Sequence, residues 1–181
     1  MKKTLLVAGA IAALAGTSAQ AACWTPQQVA AAKVRDFDTM LMVSSLRCRF
    51  ESRQLANDYN TMVMRHRGSL SEMNRMLGAR FKAAYGEREG ANQLDRYITQ
   101  VANRYGAGTA EQLSCASLAS IAQAATAEPQ TSEALIALAE RAGVVPLTPE
   151  GVCRAPIIMA DNQAPAYRQA GLVQVAARGR K

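Results

Sequence analysis

The sequence predicts an all-α fold, a disulfide-stapled bundle of about five helices with one long central helix. Three observations predict it. Apolar residues recur at three- and four-residue spacing through most of residues 26–142, and no segment alternates convincingly enough to indicate a sheet. Residues that commonly begin or end helices separate these periodic segments. Four cysteines, an even number, follow a segment typical of exported proteins.

The first helix has a clear beginning. Thr25 can cap it, Pro26 suits the first turn because its missing N–H costs nothing there, and Gln28 can complete a capping box. One apolar stripe at helical spacing then comprises Val34, Phe37, Leu41 and Cys48. We therefore expect a helix from about Pro26 to Arg47.

A second apolar stripe keeps helical phase for about seven turns. It comprises Leu55, Tyr59, Met62, His66, Leu70, Met73, Leu77 and Phe81. Local signals oppose continuity, because Arg67-Gly68 is typical of a helix end and Ser69 to Glu72 of a new capping box. One interior glycine costs only about 1 kcal/mol relative to alanine. We therefore expect one long helix from about Arg53 to Tyr85, with any bend at Gly68.

The third predicted helix follows Gly86 to Gly90, which we interpret as a break between two helices. It ends at Gly106, since glycine commonly follows the last helical turn. Its apolar stripe comprises Leu94, Tyr97, Ile98, Val101 and Tyr105.

Two shorter helices complete the bundle. Thr109 to Gln112 is a capping box that opens the fourth helix, which ends before Pro129. The fifth helix spans about Ser132 to Ala142 and closes on Gly143. Residues 144–151 contain two prolines and are predicted to form a loop. The stripe of the fourth helix comprises Cys115, Leu118, Ala122 and Ala125.

The helices restrict the disulfide pairing. Cys23 and Cys48 flank the first helix, which holds them roughly 37 Å apart, whereas bridged Cα atoms lie within about 7 Å. If neighbouring helices alternate in direction, Cys48 and Cys115 meet at one end of the bundle. We predict the pairs Cys48–Cys115 and Cys23–Cys153. A zinc site is less favoured, because consecutive cysteines are at least 25 residues apart.

Residues 1–21 have the three parts of a secretory signal. Lys2 and Lys3 are followed by an apolar run over residues 5–15 and by small residues that end at Ala21. The apolar run is too short to span a bilayer, which takes roughly 20 residues. We expect cleavage after Ala21 and a periplasmic protein with no transmembrane segment.

A lipoprotein signal is less favoured, since Gln20 stands three residues before Cys23, where such signals carry an aliphatic residue.

The mature chain divides into a helical domain over residues 22–153 and a tail over residues 154–181. Loss of Lys2 and Lys3 lowers the formal net charge from +7 to +5. The tail holds five basic residues and one acidic residue, and we expect it to be poorly ordered. Export argues against a nucleic-acid partner.

The usual catalytic patterns are missing from the sequence. It contains no HExxH, GxSxG or SxxK motif and no glycine-rich phosphate loop. Its only histidine, His66, lies on an apolar stripe, where histidine most often bonds a neighbour in the core.

Glu51-Ser52 resembles the Glu-Ser pair of lytic transglycosylases, which makes Glu51 a candidate catalytic acid and base on peptidoglycan. Ser52 as a helix cap explains the same pair.

Methionine supplies a second alternative, copper binding. Thioether and imidazole groups suit Cu(I), although methionine also fills irregular gaps in cores. The candidate ligands are Met62, His66, Met73 and Met76, with Met40 and Met42 on the adjoining helix.

Several segments together resemble a family of small exported four-cysteine proteins of alphaproteobacteria. They are Cys23-Trp24-Thr25-Pro26, Leu41-Met42-Val43, Leu46-Arg47-Cys48-Arg49, Tyr59-Asn60, Cys115 and Cys153. The resemblance implies the scaffold but no activity. Members are sometimes labelled S-adenosylhomocysteine hydrolase, which this sequence does not support, because it lacks the length and a GxGxxG motif after a strand.

The leading hypothesis is therefore a non-catalytic periplasmic protein without a cofactor. It binds another protein or an envelope component through a helix face.

Overall fold

The computed structural model describes residues 23–107 and 113–154, which form an all-α bundle stapled by two disulfide bonds. The predicted fold class is confirmed. The predicted signal peptide, nearly all of the predicted tail and the Thr109 capping box lie outside the described residues. The helices are α1 (Pro26–Arg47), α2 (Arg53–Arg65), α3 (Arg67–Tyr85), α4 (Glu87–Gly106), α5 (Cys115–Ala127) and α6 (Ser132–Arg141).

Helix α1 has the predicted bounds and contacts each of the other five helices. The predicted capping box is formed, since Thr25 Oγ1 accepts from the Gln28 N–H at 3.3 Å and Gln28 Oε1 accepts from the Thr25 N–H at 3.0 Å. Its fully buried Val34, Phe37 and Leu41 lie in the core. The element around which the bundle packs is therefore α1.

The helix expected from Arg53 to Tyr85 is divided at His66, which is a correction to the sequence prediction. Gly68 lies inside α3. The cause is tertiary, because α2 packs mainly on α5 whereas α3 packs on α4 and α1. The His66 ring, fully buried, donates from Nε2 to the carbonyl of Ala125 on α5 at 2.9 Å. This bond anchors the junction to α5, while the apolar stripe continues across it.

Helix α5 begins later than predicted, at Cys115 and not at the Thr109 capping box. Leu113 and Ser114 are not helical, and Ser114 Oγ accepts from the Ser117 N–H at 3.1 Å. Serine is a strong N-cap, and it places Cys115 in the first turn. Helix α6 begins at the predicted Ser132 and ends at Arg141, one residue short of the predicted end.

Helix α4 begins at Glu87, earlier than expected, because Gly86 alone forms the turn between α3 and α4. Gly86 has a φ of 81°, a conformation that glycine adopts without strain. Gly90 lies within α4, where an added Cβ would be 2.7 Å from both the Lys82 Cα and the Phe81 carbonyl oxygen. The two helix backbones approach this closely because residue 90 has no side chain.

Both disulfide bonds join the cysteines that the sequence analysis paired. The Cα atoms are 5.0 Å apart in Cys23–Cys153 and 5.7 Å apart in Cys48–Cys115. They close loops of 130 and 67 residues. In the chain-entropy description, each loop of this length stabilises the fold by about 4 to 5 kcal/mol.

A buried arginine joins the residues before α1 to the loop after α6, beside the Cys23–Cys153 bond. The Arg80 side chain is 4% exposed, and its guanidinium lies 3.9 Å from the Trp24 ring centroid. It donates to the Cys23 carbonyl at 3.1 Å and to Glu150 Oε2 at 3.0 Å. Trp24 Nε1 donates to the same carboxylate oxygen at 2.6 Å. We call Trp24, Arg80 and Glu150 the Arg80 joint.

A second buried charge, Asp36, lies on α1. It accepts hydrogen bonds from Arg104 and Tyr105 of α4. Burial raises the pKa of Asp36, and the two hydrogen bonds and the arginine charge oppose that rise. Arg104 also donates to the Val145 carbonyl at 3.0 Å, which fixes the loop after α6.

No helix within residues 23–107 and 113–154 is both long enough and apolar enough to cross a bilayer.

The close approach at Gly90 predicts a sharp difference between two glycines. G90A should lower the free energy of unfolding by about 1 to 3 kcal/mol, because its Cβ meets backbone atoms that cannot move aside. Gly68 is also within a helix, but open space surrounds its added Cβ. G68A should therefore leave the free energy of unfolding unchanged or raise it by about 0.5 kcal/mol. Urea unfolding of both variants checks this, and equal losses would contradict the tight α3–α4 contact.

The Arg80 joint predicts a specific pH dependence. Burial raises the pKa of Glu150, but hydrogen bonds from Trp24 and Arg80 and the arginine charge outweigh it and lower the pKa below the usual 4.5. A lowered carboxyl pKa adds stability above the unfolded-state value, and that stability is lost as the pH falls through the folded-state value.

E150Q should therefore lower the free energy of unfolding by about 1 kcal/mol near neutral pH, because solvent screens the partly exposed carboxylate. Its deficit relative to wild type should shrink as the pH falls below 4.5. Denaturant unfolding across this range measures the difference. A deficit independent of pH would show that the charge on Glu150 contributes nothing to the joint.

Candidate binding cleft

A cleft of about 420 Å³ opens between α1, α3 and α6. Apolar side chains that are buried or half-buried line its interior: Ala30, Met73, Met76 and Ile136. Exposed polar side chains surround its mouth: Gln27, Glu72, Gln130 and Glu133. An apolar interior with a polar margin is typical of a binding site.

Side-chain bonds fix the α5–α6 turn that closes one end of this cleft. Thr131 caps α6 by accepting from the Ala134 N–H at 3.2 Å. Ser69 of α3 donates to the Gln130 carbonyl at 3.3 Å, and Ser132 donates to Glu72 at 3.2 Å. The turn is therefore held against α3, so that the cleft is formed before anything binds.

A shallower depression of about 260 Å³ continues the cleft along α1 and α6. The two share Ala30 and Ile136, and the second ends near Val152, which is 51% exposed. Lys33 of α1 donates to Glu140 of α6 at 2.7 Å across this part. Together they form one groove, which we call the α1–α6 cleft.

The charge along the α1–α6 cleft is uneven. Lys33 and Glu140 neutralise each other in the second depression. Glu72 and Glu133 border the first depression without a basic residue in its lining. The cleft therefore favours a ligand that carries apolar groups together with positive charge.

The lining of the 420 Å³ part offers hydroxyl, carboxylate, amide and thioether groups. Ser69, Thr131 and Ser132 supply hydroxyl groups, but no histidine, cysteine or lysine lines the 420 Å³ part. The Glu72 carboxylate contacts one of these hydroxyls, since it accepts from Ser132 at 3.2 Å. Within residues 23–107 and 113–154, no group of three or more His, Cys, Asp or Glu side chains is arranged to hold a metal ion.

The structure separates the candidate copper ligands. Met73 and Met76 line the cleft, whereas Met62 and His66 do not and are fully buried. Nε2 of His66 is engaged with the Ala125 carbonyl, and its Nδ1 is buried without a hydrogen-bond partner. Met40 lines a separate depression beside Arg104. Met42 is half-buried on α1 and lines neither depression.

Glu51, the candidate catalytic residue, is exposed in the turn between α1 and α2. Its N–H donates to the Cys48 carbonyl at 2.9 Å. Ser52 caps α2 by accepting from the Leu55 N–H at 3.3 Å, as the connector interpretation of this pair expected.

Sequence reasoning missed most of the α1–α6 cleft. Gln27, Gln130 and Ile136 come from segments about 100 residues apart, and each is unremarkable in its own segment. The sequence singles out only Met73 and Met76 of the lining as candidate ligands, for copper, and it predicts the start of α6 at Ser132.

Comparison with known proteins adds no further constraint. No known protein family, curated protein or solved structure matches the chain.

Proposed function

We propose that this is an exported, periplasmic binding protein that holds a segment of another protein in the α1–α6 cleft and catalyses no reaction. The single observation that carries the proposal is the cleft itself, a preformed groove with an apolar interior and an acidic margin. The signal-like residues 1–21 and the two disulfide bonds support export, since disulfides persist in oxidising compartments.

A non-catalytic role is supported by how the reactive side chains are used. His66, the only histidine in the sequence, serves as a buried tie between α2 and α5. All four cysteines are in disulfide bonds. These groups supply the nucleophiles and bases of many enzymes, and here they hold the scaffold together.

The side chains of the cleft indicate which residue types the bound segment would carry. Met73 and Met76 suit varied apolar side chains, because methionine is flexible and polarisable. Glu72 and Glu133 would pair with lysine or arginine on the bound segment. The expected ligand is thus a peptide segment that combines apolar side chains with at least one basic residue.

Site-specific photo-crosslinking in cells tests this function. A photoreactive amino acid at Gln130 or Gln27, both exposed at the cleft, should capture one reproducible partner. The same group at Asn92, exposed on α4, is the control and should not capture it. Mass spectrometry of the crosslinked peptide should show apolar residues beside a lysine or arginine.

Charge removal provides the second measurement. E72Q/E133Q should weaken binding of the captured peptide about tenfold, which is about 1.4 kcal/mol, because two carboxylates lose their pairing. E87Q/E89Q, which removes two exposed acids from α4, is the matched control. Capture from Asn92 as efficient as from Gln130, or equal affinities of the two double variants, would overturn the assignment of the cleft.

A further inference from the structure

Two apolar side chains are strongly exposed where α1 ends and the turn to α2 begins. Phe50 is 87% exposed and Leu46 is 64% exposed. Soluble proteins expose scattered apolar residues, but a contiguous exposed patch commonly marks an interaction site. We call residues 46–53 the Cys48 corner.

The Cys48 corner is held rigidly. Cys48 is fully buried and bonded to Cys115 at the start of α5. Its carbonyl accepts from the N–H groups of Glu51 at 2.9 Å and Ser52 at 2.8 Å, and Ser52 then caps α2. The exposure of Phe50 is therefore imposed by a fixed backbone.

Basic side chains surround these apolar groups. Arg47, Arg49 and Arg53 are all exposed, and Glu51 is the one acidic residue of the corner. The Arg49 guanidinium lies 4.6 Å from the centroid of the Phe50 ring. Apolar tips ringed by arginine match the interface of an anionic bilayer, where the apolar groups enter the acyl boundary and the guanidinium groups stay at the phosphates.

We propose that the Cys48 corner is a membrane-docking surface that binds anionic phospholipid bilayers. The charge complementarity selects this occupant, since three arginines against one glutamate favour a dense negative surface. The proposal goes beyond the α1–α6 cleft, because the two surfaces lie toward opposite ends of α1. Gln27 and Leu46 are separated by 19 residues, or roughly 28 Å of helix. A docked protein thus keeps its cleft open.

Vesicle binding by the full exported protein, with both disulfides intact, tests the proposal. It should bind vesicles of phosphatidylcholine with phosphatidylglycerol, and vesicles of phosphatidylcholine alone about tenfold more weakly or not at all. Raising the salt concentration should weaken the binding, because the corner is exposed to solvent. Equal binding to both vesicle types, or none to anionic vesicles, would overturn the proposal.

Substitution locates the binding on the corner. L46S/F50S should lower vesicle affinity about tenfold, since burial of the exposed Phe50 ring is lost. M64S/V145S, which removes two similarly exposed apolar side chains elsewhere, is the matched control and should bind like wild type. E72Q/E133Q should also bind vesicles like wild type, so failure of the cleft and failure of the corner are distinguished. Equal affinities of L46S/F50S and wild type would refute the corner.

Fluorescence quenching tests whether the Cys48 corner inserts into the bilayer, with a variant that keeps residue 50 apolar. The wild-type chain has one tryptophan, Trp24, which is fully buried and should not be quenched by lipids with brominated chains. F50W places an indole on the corner, and the same lipids should quench it in anionic vesicles. If bound F50W is not quenched, another surface, such as the basic residues 154–181, holds the protein and the proposal is wrong.

Discussion

Helix α1 is fixed at both ends, and the bundle depends on that constraint. The Cys23–Cys153 bond precedes it and the Cys48–Cys115 bond follows it. Each bond joins an end of α1 to a segment far along the chain. The five other helices then pack against a central element whose ends are already tied, which restricts the unfolded chain and fixes the direction of α1 relative to α5.

Buried charge is tolerated in this core because each charged group has partners. Arg80 has a backbone carbonyl, a carboxylate and an aromatic face, and Asp36 has Arg104 and Tyr105. An unpaired buried charge would cost several kcal/mol. The two clusters join α1 and the residues before it to α3, α4 and the loop after α6. The two clusters fix the relative orientation of these elements more precisely than contacts between leucine and alanine side chains alone would.

The same helix separates the two surfaces that we propose as binding sites. The α1–α6 cleft lies beside the first turns of α1, and the Cys48 corner follows its last turn. The cleft is concave and acidic at its margin, whereas the corner is convex and basic. The opposite charge of the two surfaces suits ligands of different chemistry. Because α1 holds the surfaces apart, both ligands can bind at the same time.

The sequence by itself determined the all-α class, the bounds of α1 and both disulfide pairs. The Thr25-Pro26-Gln28 start fixes α1, and a 22-residue helix keeps Cys23 from Cys48. The choice between the two remaining pairings rests on the alternating direction of neighbouring helices. The start of α6 at Ser132 was also predicted from the sequence, and it directly follows the Thr131 cap.

Only the tertiary structure decided the division at His66 and the α1–α6 cleft. The apolar stripe through His66 is identical for one helix and for two, and the choice follows from the carbonyl of Ala125, which lies 59 residues away. Gln27, Met73 and Ile136 likewise meet only after α1, α3 and α6 have packed. Local periodicity specifies which face of each helix is buried, but the direction in which helices cross is set by contacts between distant residues.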